Sequence, residues 1–210
     1  DDRDGVTACS DGTKGVFMGG EKGSTKKDEM EYVNIASTGN VTDFGNLLAA
    51  NRQGAATSNG PRGVMGGGQT APGTTGDVDV VQYITIASTG DAADFGDLVA
   101  ATYMMTKACS DLTKGLWAGG HRGGYGDHID VLNIASLGDA TDFGNLTDGR
   151  AFPAGCSNGT RGCFAGGYDP AVGDGTFNII DFVVIASLGN ASDFGDLSTS
   201  RDTNTATAGD

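Results

Sequence analysis

Glutamate is nearly absent from this chain, standing only at positions 21, 29 and 31, although Asp and Glu together number 27. The acidic residues are therefore almost all aspartate. Asp, Asn, Ser, Thr and Gly favour turns, whereas Glu-, Lys- and Leu-rich runs build helices, so almost no helix is expected. Bases are scarce as well, and 13 of them leave a formal net charge of −14. A surface that negative repels phosphate backbones and anionic headgroups, which argues against nucleic acid and membrane insertion as partners. No apolar run approaches the ~20 residues that span a bilayer. The chain opens on Asp with no basic-plus-apolar leader, as a processed product or an excerpt of something longer would.

What is abundant is glycine, 37 residues of it, and it is ordered. "DFGNL" at 43–47 returns as "DFGDL" at 94–98, "DFGNL" at 142–146 and "DFGDL" at 193–197. Asp-Phe-Gly is also the magnesium-binding triplet of protein kinases, but a kinase needs one such Asp with an H-R-D loop. The chain has no H-R-D, and a triplet spelled four times is scaffold. Four identical active sites would be the alternative.

The triplet belongs to a repeat of about fifty residues. Counted from the Arg that opens most units, the chain divides into 3–51, 52–102, 103–149 and 150–200, and 201–210 begins a fifth; Tyr103 replaces Arg in the third. Each unit runs through a small-residue stretch, a turn such as "DGTK" or "NGTR", and a short apolar run ending in a glycine pair. A loop of changing length follows, then an apolar stretch ending in Ile-Ala-Ser, a fixed turn and the Asp-Phe-Gly. Short Val-, Ile- and aromatic-rich runs bounded by Gly-Asn, Gly-Asp or Asn-Gly are strand and hairpin signals, four strands to a unit. Tyr32 and Asn34 would share one strand face, Val33 and Ile35 the other. Both faces are then partly apolar, which suits sheets stacked around an axis better than a sandwich with one wet face. The expected class is all-β and antiparallel, in one repeat domain.

The glycine pair after an apolar strand, the aromatic three residues before Ile (Tyr32, Tyr83, Phe182), the Phe of the last strand and the Arg that follows resemble the kelch repeat. That resemblance implies a β-propeller of four-stranded blades, whole or part of a larger or oligomeric propeller. It departs from kelch where Trp is usual in the last strand and Phe stands here. The wording also resembles kelch-like repeats in structural proteins of tailed, marine bacteriophages. The resemblance implies a non-enzymatic fibre, decoration or host-attachment module of a virion, hence a virion or extracellular location. Its partners would be other virion proteins, further copies of itself, or a host-surface glycan or receptor. An extracellular carbohydrate-binding or hydrolytic propeller and a filament-forming surface protein stay open beside it.

Within this frame each Asp-Phe-Gly (43–45, 94–96, 142–144, 193–195) is expected to be structural. Asp43, Asp94, Asp142 and Asp193 would accept turn amides, and Phe44, Phe95, Phe143 and Phe194 would plug the space between sheets. Gly45, Gly96, Gly144 and Gly195 would let a neighbouring backbone approach. Gly39-Asn40 and its equivalents suit a turn with positive φ.

Recognition is expected in the loops after the glycine pairs. From Ile35, Ile86, Ile134 and Ile185 to the next Asp of the triplet the distance is always eight residues, whereas from the glycine pair to the same Ile it is 15, 18, 14 and 18. A rigid scaffold with divergent loops on one side is how binding surfaces are commonly built, and drift in solvent-facing loops is the plainer account. The candidates there are Lys22 and Lys26, then His121, Arg122, Tyr125 and His128, then Tyr168, Asp169 and Phe177. Tyr125, Tyr168 and Phe177 are the aromatics a sugar would need exposed. The two histidines with Asp127 and Asp130 carry metal-ligand chemistry, but a loop His pair without other firm ligands is usually solvated. No phosphate loop, calcium loop or marked nucleophile appears, so no metal, cofactor or catalytic residue is assigned. Asn40, Asn145, Asn158 and Asn190 stand in sequons that matter only in a eukaryotic secretory pathway. Cys9, Cys109 and Cys156 occupy equivalent places and suit buried, unpaired thiols. Cys156 and Cys163 flank one predicted turn, and facing each other across it would leave a disulfide open to them.

Overall fold

The computed structural model describes residues 2–72, 76–104 and 108–202, and none of these is α-helical. The first unit holds β1 (Thr7–Ser10), β2 (Lys14–Met18), a small hairpin of β3 (Glu21–Lys22) and β4 (Thr25–Lys26), β5 (Glu29–Asn34) and β6 (Thr42–Asn46). The second holds β7 (Ala55–Ser58), β8 (Arg62–Gly66), β9 (Val80–Thr85) and β10 (Ala93–Asp97). The third holds β11 (Cys109–Ser110), β12 (Lys114–Ala118), β13 (His128–Asn133) and β14 (Thr141–Asn145). The fourth holds β15 (Ala154–Ser157), β16 (Arg161–Ala165), β17 (Ile179–Val184) and β18 (Ser192–Asp196). They make four four-stranded antiparallel sheets, each in plain up-and-down order, with β3 and β4 as a separate pair.

The first turn of each unit is built by its own side chain. Asp11 Oδ1 accepts the amides of Thr13 and Lys14 at 2.8 and 2.7 Å, and Asn158 Oδ1 those of Thr160 and Arg161 at 3.0 and 2.8 Å. A short polar side chain that satisfies its own turn is why Asp and Asn recur there. The next residue has φ of 86, 88 and 79° at Gly12, Gly60 and Gly159, and Leu112 is held at 69° where the third unit lacks glycine.

Asp-Phe-Gly is a β-bulge. Met30 pairs with Gly45 and Glu31 with Asp43, so Phe44 is the extra residue, and the same slip recurs at Phe95, Phe143 and Phe194. A bulge re-aims one side chain, and its glycines here lie at φ of 135 to 145°, a region that side chains avoid. Phe44, Phe95 and Phe143 are thereby driven into the space between their own sheet and the next.

The core consequently lies between sheets. One cluster joins Met30, Phe44 and Leu47 to Met65, Ile84 and Ile86 of the following unit. A second joins Phe95 and Leu98 to Trp117 and Ile134, and a third joins Phe143 and Leu146 to Phe164 and Ile185. The small-residue first strands lie side by side, β1 against β7, β7 against β11 and β11 against β15. A file of serines ties them: Ser58 Oγ donates to the Ser10 carbonyl at 2.7 Å, Ser110 Oγ to that of Ser58 at 3.0 Å, and Ser157 Oγ to that of Ser110.

Several details differ from the sequence expectations, beginning with Phe194 and Gly195, which are not met by a following sheet: Phe194 is exposed and nothing lies near Gly195. The amides of Gly20, Gly68, Gly120 and Gly167 donate to the carbonyls of Asn51, Thr102, Arg150 and Arg201. The positions equivalent to Arg3 are thus Asn51 and Thr102, one residue before Arg52 and Tyr103. Asp43, Asp94 and Asp142 are exposed, and the turn residues Asp91, Asp139 and Asn190 of the following unit accept the inter-sheet amides in their place. Positive φ occurs at Gly90, Gly138 and Gly189, the equivalents of Gly39, but Gly39 itself does not adopt it. Of the predicted fifth unit, residues 203–210 lie outside the described residues.

Candidate recognition surface

The variable loops gather at one end of the sheets, where each is tied down by a short ladder. Glu21, Gln69, His121 and Tyr168 directly follow the glycine pairs, and they bridge back to Asp4, Arg52, Tyr103 and Ala151 at the unit starts. Four rings line up across the third and fourth units. Tyr103 meets His121 edge-on at 5.1 Å, His121 meets Tyr125 at 5.5 Å, and Tyr125 meets Tyr168 at 5.8 Å. All four are half-buried. Partial burial pushes the Tyr103 and Tyr125 phenols above their ordinary value, and they stay protonated.

Several proposed contact residues are engaged inward. Arg122 forms an ion pair with Asp130 at 2.6 Å, and its Nε donates to Thr102 Oγ1 at 3.0 Å. The loop arginine thus supplies the charge that Thr102 lacks at a position where Arg3 and Arg150 serve. Arg150 pairs with Asp181 at 2.9 Å with both side chains fully buried, and Arg3 pairs with Glu31. The second unit has neutral residues at these positions, Asn51 and Gln82, both buried: Asn51 bonds the Gly67 carbonyl and the Gln69 amide, and Gln82 accepts the Leu48 amide.

Phe177 is buried under Arg150, whose guanidinium lies 5.8 Å from the ring centre, and it is no platform for a sugar. His128 begins β13, and burial together with the charge of Arg122 pushes its imidazole down to about 4, neutral at physiological pH. Burial, outweighing Arg122, raises the Asp130 carboxyl. Asp169 is held in its own turn, accepting the Ala171 amide at 2.9 Å. Lys22 is exposed on β3 and Lys26 half-buried on β4. Among the described residues no three of His, Cys, Asp or Glu gather as a metal site would require.

A concavity of about 580 Å³ lies where the first strands meet, lined by residues such as Ser10, Ser58, Ser110, Ser157 and Cys109. Cys156 and Cys163 are partners across the β15–β16 hairpin, and all four thiols are free. Burial raises the Cys9 thiol to about 12, and Cys109 moves the same way, so neither is a nucleophile at neutral pH. Tyr103 and the serine file escaped the sequence reading as site elements. Their signals were present, an aromatic Tyr103 where the other units have Asp4, Arg52 and Ala151, and a Ser fixed in every first strand.

No protein-family model matches the chain, and no curated protein matches it.

Proposed function

We propose that the four sheets are blades of a kelch-like β-propeller that works as a non-enzymatic attachment or structural module, of the kind that a virion fibre or decoration protein would carry. The serine file supports the propeller, because it strings the four innermost strands around one hollow while the bulged Phe rings fill the wedges between sheets. The observation that carries the functional reading is the division of labour between the two ends. Inter-sheet bonds repeat unit by unit at the fixed turns, whereas each variable loop has its own chemistry on a common ladder. Asp130 and His128 are displaced in titration chiefly by their own burial, and Asp130 is paired inward with Arg122, as structural groups are. A host-surface glycan or receptor, or another virion protein, would meet the loop tips.

The test replaces only exposed tip residues, Lys22 with Ser24, Asp127, and Val172 with Asp174, in the intact chain. Binding to host cells and to a glycan array is scored beside the melting temperature. Loss of attachment with unchanged melting is expected. Attachment that survives all three replacements would overturn the assignment of this face.

A further inference from the structure

Three times along the chain, one sheet seats on the next through the same set of contacts. The amides of Gly90, Gly138 and Gly189 donate to the carbonyls of Phe44, Phe95 and Phe143 at 2.7, 2.9 and 2.8 Å. The amides of Ala92, Ala140 and Ala191 donate to those of Asn46, Asp97 and Asn145 at 2.8, 2.7 and 2.7 Å. In return Asp91, Asp139 and Asn190 accept the amides of Asn46, Asp97 and Asn145. Lys14, Arg62 and Lys114 cross the seam to the carbonyls of Ile86, Ile134 and Ile185. Even the sulfurs are matched, since Cys9 and Cys109 lie where a side chain on Gly63 or Gly162 would be.

A fourth set exists as two separated halves. The fourth unit presents Phe194, Arg161 and Cys156, and the first presents Phe17, Ile35, Gly39, Asn40, Val41 and the bare Gly15. Exposure identifies them as unmet halves. Phe194 is 55% exposed against 1 to 3% for Phe44, Phe95 and Phe143. Ile35 is 56% exposed against 0% for Ile86, Ile134 and Ile185, and Phe17 38% against 0 to 1% for Met65, Trp117 and Phe164. Nothing would approach a side chain on Gly195, whereas one on Gly45, Gly96 or Gly144 would strike the next unit's turn. Gly39, whose equivalents are held by a preceding sheet, is also the one that relaxes from positive φ.

We propose that the first-unit face of a second copy of this chain seats on the fourth-unit face of the first, so that two copies close head to tail. Phe194 enters the partner's apolar face, the partner's Asn40 accepts the Asp196 amide, and Arg161 reaches the partner's Ile35 carbonyl. The occupant is a copy of this chain because the receiving face is continuous in chemistry with three interfaces already formed. A head-to-tail contact closes only if its rotation does. Two copies bring together eight sheets, within the range of about four to eight blades that propellers use, and a third copy would exceed it. The ring size rests on the propeller reading; the pairing of faces rests on the repeated contacts alone.

Sedimentation of the whole chain tests this, with Phe17→Asp, Phe194→Asp and an equimolar mixture of the two. Wild type should run as one species of twice 21.1 kDa. Each variant should weaken association on the order of thirtyfold or more, as loss of a central anchor does. The mixture should recover dimer, since one intact pair of faces remains. Both rings are exposed, so the variants should keep the wild-type circular-dichroism spectrum, and Ile35→Asp serves in place of Phe17→Asp if that one does not. A wild-type monomer throughout overturns the proposal. So does dissociation by Phe194→Asp alone with Phe17→Asp and Ile35→Asp still paired, which would mean that like faces meet, and so does a ladder of ever larger species. Loop attachment is scored separately and can fail without altering any of these outcomes.

Discussion

The same residue type does different work according to what its sheet meets. Phe143 is enclosed between the third and fourth sheets, while Phe194, its repeat equivalent, stands in the open. Phe143→Ala should therefore cost about 3–5 kcal/mol in denaturant unfolding. Phe194→Ala should cost a dissociated chain almost nothing. Leu112 offers the opposite sign. It sits at φ 69° where the other units have glycine, and it is exposed. Leu112→Gly should relieve that conformation and stabilise the chain by about 0.5–1 kcal/mol, because the gain outweighs the extra freedom of glycine in the unfolded chain. His128 gives a pH signature. Its imidazole titrates near 4 in the fold, against about 6.5 in an unfolded chain. The unfolded state thus binds the proton first, and stability present above pH ~6.5 is lost as pH falls toward ~4, by up to about 3 kcal/mol. Chemical denaturation across that window should show the loss in wild type and a smaller slope in His128→Gln. An equal slope in both would assign the loss to other groups.

Among the strands, the buried polar seam is the most revealing element. Each unit places a polar side chain at one position of its third strand, Glu31, Gln82, Asp130 or Asp181, and the three acids each pair with an arginine. Three of the four also accept an amide from the preceding unit: Leu48 donates to Gln82, Val99 to Asp130 and Thr147 to Asp181. Removing one charge of a buried pair strands the other, at about 3–5 kcal/mol, whereas replacing both can be neutral. Arg150→Asn alone should thus destabilise strongly. Arg150→Asn with Asp181→Gln should recover most of that loss, since it leaves no stranded charge and the second unit already buries the neutral Asn51 and Gln82 at these positions. Thermal melts of the two variants decide it, and a double variant no better than the single would mean that the seam needs its charge.

At the scale of the whole molecule, charge opposes association. Each copy carries a formal −14, so two copies repel through solvent while their faces attract. Raising salt from ~20 to ~200 mM should tighten self-association by about tenfold, as the Debye length shortens. Association that weakens with salt would point to ion pairs across the seam instead.

The sequence alone determined the all-β class and its four-stranded antiparallel sheets, because these are local: turn chemistry, strand periodicity and spacing are written along one stretch of chain. It also located where variation is allowed. Only the tertiary structure decided that the triplet is a bulge, that Asp91 rather than Asp43 carries the inter-sheet bond, and that the units open at Asn51 and Thr102. It decided too that Phe177 is buried and that Arg122 turns inward to Asp130. Each of these depends on which residue of one unit lies against which residue of another, and contacts some fifty residues apart leave no mark in the local pattern. The uncovered pair of faces is the extreme case: Phe44 and Phe194 are spelled alike, and only the presence or absence of a neighbouring sheet distinguishes them.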